Sequence, residues 1–185
     1  MGSLAFISGI GQLDHEALKE WDDHAQLIGH ITILTKQLQS YMMQMFWLAS
    51  GTGYDTAHTS FFSIKSDAGQ REMTLAAVKE RLDLAEDEAL YRRTRSTLSQ
   101  IGSLSDESNA FIHSMWAMKM PDKRVAILPN TPPRPRLKPE RIAEQAEELI
   151  VRLSDLVLPT IALVRDLSDS ASMKKFREHG EKDNL

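Results

Sequence analysis

The fold is decided by the stretch from residue 13 to residue 50, which reads LDHEALKEWDDHAQLIGHITILTKQLQSYMMQMFWLAS. Apolar residues recur in it at steps of three and four, the period of an α-helix that buries one face. They are Leu18, Trp21, Ala25, Ile28, Ile31, Leu34, Leu38, Tyr41, Met42, Met45 and Leu48. No proline interrupts the stretch, and Gly51 and Gly53 follow it. The sequence therefore predicts one long first helix, with a division near Gly29 as the alternative.

The most apolar part of this helix is its end, where residues 41–48 read YMMQMFWL. Deep helical positions commonly fill with methionine and aromatic residues, so we interpret this run as core that is buried on most sides. A pocket for a small ligand near Met42, Met45 and Trp47 is the alternative.

Three more helical patterns follow. The second helix is predicted to begin after Ser66, a natural N-cap, beyond a short aromatic link at residues 61–64. The third begins near Asp87 and runs to Trp116. The fourth follows Pro139 and extends to Leu167, with a kink at Pro159.

Residues 121–139 contain most of the prolines and are predicted to form an extended strap before the last helix. Within the strap, residues 125–128 are either a short strand or extended chain, and Pro132 and Pro135 have the spacing of a ligand for peptide-binding modules. The predicted fold is all-α, an antiparallel bundle of about four long helices with this Pro-rich crossover. Its domain comprises residues 13–167, between an N-terminal extension (1–12) and a charged, flexible tail (168–185).

Composition limits the function classes. The 185 residues carry a net charge of −4, which gives no general attraction to nucleic acid, so no DNA partner is expected. The absence of cysteine excludes disulfides and thiolate metal sites and fits a cytoplasmic protein. No apolar run is long enough for a membrane span, and no nucleotide-binding loop or paired Glu-x-x-His element occurs. Asp55 with His58, and Asp22 with His24, are isolated, so neither a cofactor nor a metal is predicted.

The third helix contains the candidate site. At about 100° per residue, Asp106, Asn109, His113 and Trp116 share one stripe. His113 is a candidate general acid or base, and Asn109 a candidate to orient a substrate. The interpretation that we favour is that both side chains are buried and form hydrogen bonds between helices or to the chain around Pro121. Arg92, Arg93 and Arg95 are candidate RNA contacts or, alternatively, a solvated face paired with Glu86 and Glu88.

The chain resembles the HEPN superfamily of helical proteins. The resemblance covers roughly residues 25–118 and rests on Phe61-Phe62-Ser63-Ile64 and on Asn109-Ala-Phe-Ile-His113 with Trp116. It implies a helical bundle and, for active members, a metal-independent ribonuclease that works as a dimer. His113 would hold the histidine position of that family and Asn109 the polar position after its arginine.

This sequence departs from the HEPN pattern at two positions. Ser108 stands where the family has arginine, and Ser114 where a glycine often follows the histidine. Serine cannot supply the charged, planar guanidinium that stabilises a phosphate. We therefore expect a non-catalytic interaction or self-association module, with a homodimer or another protein as partner. The alternative is a metal-independent ribonuclease, a toxin or defence effector, that uses His113.

Overall fold

The computed structural model describes residues 4–5, 15–113, 115–119, 124–128, 137 and 141–182. Over these residues the chain is predominantly helical, with a small sheet, and the predicted helical fold class is confirmed. The elements are β1 (Leu4–Ala5), α1 (His15–Ser50), α2 (Tyr54–Ser63), α3 (Asp67–Arg81), α4 (Glu88–Ile112), β2 (Met115–Lys119), β3 (Arg124–Leu128), α5 (Ile142–Asp169) and α6 (Ala171–Lys182). The antiparallel order of the long helices stays a prediction.

Helix α1 is continuous from His15 to Ser50, so a division near Gly29 is wrong. It ends before Gly51, whose φ of +70° lies in the left-handed region that glycine adopts readily. A Cβ atom at Gly51 would also lie 2.2 Å from Cζ of Phe176. Conformation and close packing both require glycine at this helix end.

A short helix, α2, replaces the predicted aromatic link and buries Ala57 and Phe61. The next helix, α3, begins after Ser66, whose Oγ accepts a hydrogen bond from the backbone N–H of Gly69 at 3.1 Å. This bond satisfies one of the amide groups that the first turn of a helix leaves unpaired. The predicted N-cap is therefore confirmed.

Gln70 connects α3 with two other helices and is only 3% exposed. Its Nε2 donates to the carbonyl oxygen of Ile64 at 2.9 Å and to that of Phe61 at 3.4 Å. Its Oε1 accepts from Nε2 of Gln39 on α1 at 2.8 Å. One buried amide thus satisfies the carbonyl of Ile64 after the end of α2 and adds a second donor to that of Phe61, which also accepts the backbone N–H of Ile64.

Helix α4 ends at Ile112, so the placement of Trp116 on this helix is wrong. Trp116 instead belongs to β2, where it lies opposite Ile127 of β3 in an antiparallel pair, and β1 pairs with the other edge of β2. The physical reason is that the run at 124–128, with β-branched Val125 and Ile127, favours a strand partner for residues 115–119, while Pro121 breaks any helix that would continue into that run. The strand alternative for residues 125–128 is confirmed; apart from Leu137, the rest of the predicted strap lies outside the described residues.

Helix α5 contains Pro159, which lacks the amide proton that a helix interior needs. The next residue, Thr160, is fully buried, and its Oγ1 donates to the carbonyl of Leu156 at 2.7 Å. Helix α6 follows where the sequence predicts a flexible tail. It buries Met173 completely and places the Phe176 ring 3.8 Å from Cζ of Arg81. These two apolar anchors explain why the charged segment is helical.

The chain divides into two compact units. The first consists of Met1–Thr35 and Asp106–Leu153, and the second of Lys36–Ser105 and Ser154–Leu185. Buried side chains of the first unit include Ile31, Ala110, Phe111, Ile142, Ala146, Leu149 and Leu153. Those of the second include Leu38, Met42, Met45, Phe61, Val78, Leu98, Leu163, Leu167 and Met173. The single domain predicted for residues 13–167 stays a prediction. None of the described helices is both long and apolar enough to cross a membrane.

Candidate functional site

Asn109 and His113 lie at the carboxyl end of α4, in the first unit. Asn109 is half-buried, whereas His113, one residue beyond the helix, is exposed. The backbone N–H of His113 donates to the carbonyl of Asn109 at 3.0 Å, so the two residues are one helical turn apart. The burial expected for the imidazole is not found, because the buried face of α4 here carries Ala110 and Phe111. An exposed imidazole can exchange protons with water or a ligand.

Ser108, at the position where the HEPN resemblance would require an arginine, faces the interior of the first unit. It is 0% exposed, and its Oγ accepts a hydrogen bond from Oγ1 of Thr35 on α1 at 3.0 Å. A guanidinium group would not fit in this place without displacing α1, and burying its charge would cost free energy. The serine is thus part of a helix contact and provides no group that could bind a phosphate.

An arginine of α5 does reach the same turn of α4. Arg152 donates from Nη1 and Nη2 to the two carboxylate oxygens of Glu107, at 2.6 and 2.9 Å. These hydrogen bonds raise the pKa of Arg152 above its ordinary value. Because the carboxylate engages both terminal nitrogens, the charge next to the motif is already neutralised. Asn109 and His113 could orient and protonate an oxygen, whereas the guanidinium of Arg152 is engaged by Glu107.

Arg92, Arg93 and Arg95, the predicted RNA contacts, belong to the second unit. Arg92 pairs with Glu88 at 2.7 Å, as the solvated-face alternative predicts, and Arg93 pairs with Asp166 at 2.9 Å. Arg95 is exposed. Exposed ion pairs contribute little stability, so a phosphate could compete for these arginines. The structure does not bring them together with Asn109 and His113 in one unit.

A surface cluster that the sequence analysis missed lies on α2 and the end of α1. The Tyr54 ring contacts Trp47 edge-on with 5.6 Å between centroids and lies 5.9 Å from His58, which is 4.6 Å from Phe62. We call Trp47, Tyr54, His58 and Phe62 the aromatic row. Trp47, Tyr54 and Phe62 are 37%, 49% and 37% exposed. The signal was the four-residue spacing of Tyr54, His58 and Phe62, which predicts one face of a helix.

The aromatic row also decides the ligand-pocket alternative. Met42 and Met45 are 2% and 0% exposed and fill the core of the second unit, as predicted. Trp47, by contrast, points outward and packs on Tyr54. The run at residues 41–48 is therefore buried on most sides, with the tryptophan as the exception.

Arg71 is a second feature that the sequence did not indicate. Its guanidinium lies on the backbone of α4 at Gly102, where a Cβ atom would be 2.7 Å from Cζ and Nε of Arg71. Its Nη1 is buried and has no hydrogen-bond partner. Glycine at this mid-helix position thus permits a close approach of the arginine.

In the described part of the chain, no side chains are arranged as the ligands of a metal ion would be. No group of three or more histidine, aspartate or glutamate side chains there could hold a metal ion. His24 instead shares a hydrogen bond of 2.9 Å with the carbonyl of Glu20, and His58 lies between two aromatic rings.

Comparisons with models of protein families, with curated proteins and with solved structures found no match for this chain.

Proposed function

We propose that the chain is a protein-interaction module that resembles the HEPN superfamily and has no catalytic activity of its own. The observation that carries the proposal is the aromatic row, in which four ring side chains contact one another at the surface. Aromatic side chains are enriched in the buried centres of protein interfaces, since they offer large apolar area at low entropic cost. Contiguous exposed patches of this kind mark interaction surfaces.

The absence of catalysis is supported by the surroundings of the HEPN-like motif. Ser108 is buried against Thr35, and the nearby Arg152 is held by Glu107. Cleavage of RNA needs a positive group that stabilises the charge developing on the phosphate, and neither residue offers one. The proposed setting is the cytoplasm, which the cysteine-free composition favours, and the proposed partner is a protein.

A photo-activated cross-linker at position 62, introduced in the native cells, tests this function. We expect a cross-linked protein adduct from position 62 and none from position 79, because Phe62 lies in the aromatic row and Lys79 is an exposed residue of α3. The adducts are read by mass spectrometry. Equal cross-linking from both positions, or none from position 62, contradicts the proposal.

A metal-independent ribonuclease is the second candidate, and the exposure of His113 beside Asn109 favours it. If the interaction module is the correct function, wild-type protein in chelator leaves a structured RNA intact, and His113→Ala behaves identically. His30→Ala is the matched control, since His30 is an exposed histidine on α1. Cleavage that disappears in His113→Ala but persists in His30→Ala, with both variants folded, establishes the ribonuclease instead.

A further inference from the structure

The aromatic row lies on a part of the chain that carries almost no charge. Residues 37–64 include no lysine, arginine or glutamate, and their one aspartate is Asp55, in the first turn of α2. The next lysine along the chain, Lys65, follows the extended cap residue Ile64 and lies outside the helix. With histidine counted as neutral, Asp55 is therefore the single charge that these residues offer to a ligand on the row.

Asp55 lies on the same side of α2 as two rings of the row. It precedes His58 by three residues and Phe62 by seven, and these spacings bring side chains onto one face of a helix. Asp55 is exposed and forms no ion pair with any other residue that the structure describes. Its carboxylate can therefore accept hydrogen bonds from a ligand that covers these rings.

A guanidinium group matches both parts of this surface. It is planar and permanently cationic, so its face can stack on an aromatic ring while its N–H groups donate to a carboxylate. An ammonium group is a compact, more strongly hydrated charge, and a purely apolar ligand would bury Asp55 without a partner. The chemistry of the row therefore favours arginine, a residue that is enriched with tryptophan and tyrosine at the energetic centres of protein interfaces.

The second unit itself contains an arginine with this pair of contacts. Cζ of Arg81 lies 3.8 Å from the centroid of the Phe176 ring, and its Nε donates to the carbonyl oxygen of Ala49 at 2.9 Å. One guanidinium there contacts an aromatic face and an oxygen acceptor at the same time. The aromatic row and Asp55 offer the same two features at the surface.

We propose that the aromatic row binds an arginine side chain of the partner protein, with the guanidinium stacked on the exposed rings and hydrogen-bonded to Asp55. The inference rests on the proposed role of the row as an interaction surface and adds the chemistry of the partner. A nucleic acid does not match this surface, because its phosphates would meet the Asp55 carboxylate and α2 has no lysine or arginine to neutralise them.

Titration of the isotope-labelled, full-length chain with N-acetyl-arginine amide, followed by NMR, tests this chemistry. The probe should shift the indole N–H of Trp47 and the backbone amides of α2, whereas the indole of Trp21, near the start of α1, should stay unchanged. The citrulline analogue has nearly the same shape but no charge, and it should cause no shift. The lysine analogue should bind more weakly than the arginine probe, because ammonium stacks poorly on a ring.

Substitutions in the row should weaken binding of the arginine probe. We expect about a threefold loss for Asp55→Asn, which removes the charged acceptor, and a similar loss for Tyr54→Leu, which keeps apolar area but removes a ring face. Tyr54→Phe keeps the ring and should bind like the wild type. Asp22→Asn removes an exposed carboxylate near the start of α1 and is the matched control. All these positions are exposed, so circular dichroism should show intact folding.

Equal shifts with the arginine and citrulline analogues, or equal affinity of Asp55→Asn and the wild type for the arginine probe, overturn the inference. The interaction function is judged separately by the cross-linker at position 62. A protein adduct from that position combined with a silent titration rejects the arginine alone and retains the interaction function. A missing adduct rejects both.

Discussion

Gln70 illustrates how a single polar side chain can hold local structure together. The amide is nearly inaccessible to water, and it bonds the carbonyls of Phe61 and Ile64 as well as the side chain of Gln39. A buried polar group without a partner costs more free energy than a made hydrogen bond returns. Removing this one amide therefore leaves several groups unsatisfied at once.

We expect Gln70→Leu to lower the free energy of unfolding by about 2–3 kcal/mol, because the carbonyl of Ile64 loses its donor and Nε2 of Gln39 loses its acceptor. Urea denaturation followed by circular dichroism measures the change. Gln100→Leu makes the same substitution at an exposed position of α4 and should change stability little. If Gln70→Leu and Gln100→Leu unfold at the same urea concentration, the hydrogen bonds of the Gln70 amide do not contribute to stability.

Some single residues were predictable from sequence and others were not. Ser66 was predictable as an N-cap because its chemistry acts within three residues along the chain. The exposure of His113 was not, because it depends on where α4 ends and on which side Ala110 and Phe111 pack. The partners of Gln70 likewise come from separate helices, which no local pattern reveals.

At the scale of elements, the long periodic helices α1, α4 and α5 were predictable because their apolar faces repeat over many turns. The exact ends of these helices and the short elements could not be predicted. Helix α2 covers only ten residues, so its helical spacing, that of Tyr54, His58 and Phe62, repeats over little more than two turns and is easily overlooked. Strand β2 and helix α6 depend on contacts with other segments, namely β3 for the strand and Arg81 for the helix.

At the scale of the whole molecule, the last helix, α6, is part of the second compact unit. Arg81 connects the end of α1 with α6, since its Nε donates to the carbonyl of Ala49 at 2.9 Å while its guanidinium lies over Phe176. Ser172 adds a hydrogen bond to Asp87 at 2.6 Å. The last helix thus contacts the end of α3 and the segment between α3 and α4.

A chain truncated after Ser170 should therefore lose about 3 kcal/mol of stability, because it lacks the buried Met173 and the Phe176 ring over Arg81. Differential scanning calorimetry should show a lower melting temperature. Truncation after Lys182 removes only residues 183–185 and is the matched control. If both truncated chains melt like the full chain, α6 does not stabilise the second unit, as expected for the charged, flexible tail that the sequence predicts.

Neither compact unit is a continuous piece of the chain, since each combines two segments separated by many residues. During synthesis on the ribosome, the first unit has all its residues only after Leu153 has emerged. The second has residues 36–105 much earlier but waits for α5 and α6. Until α6 emerges, the end of α3 therefore lacks its final partner, and the incomplete second unit exposes apolar surface to which a chaperone can bind.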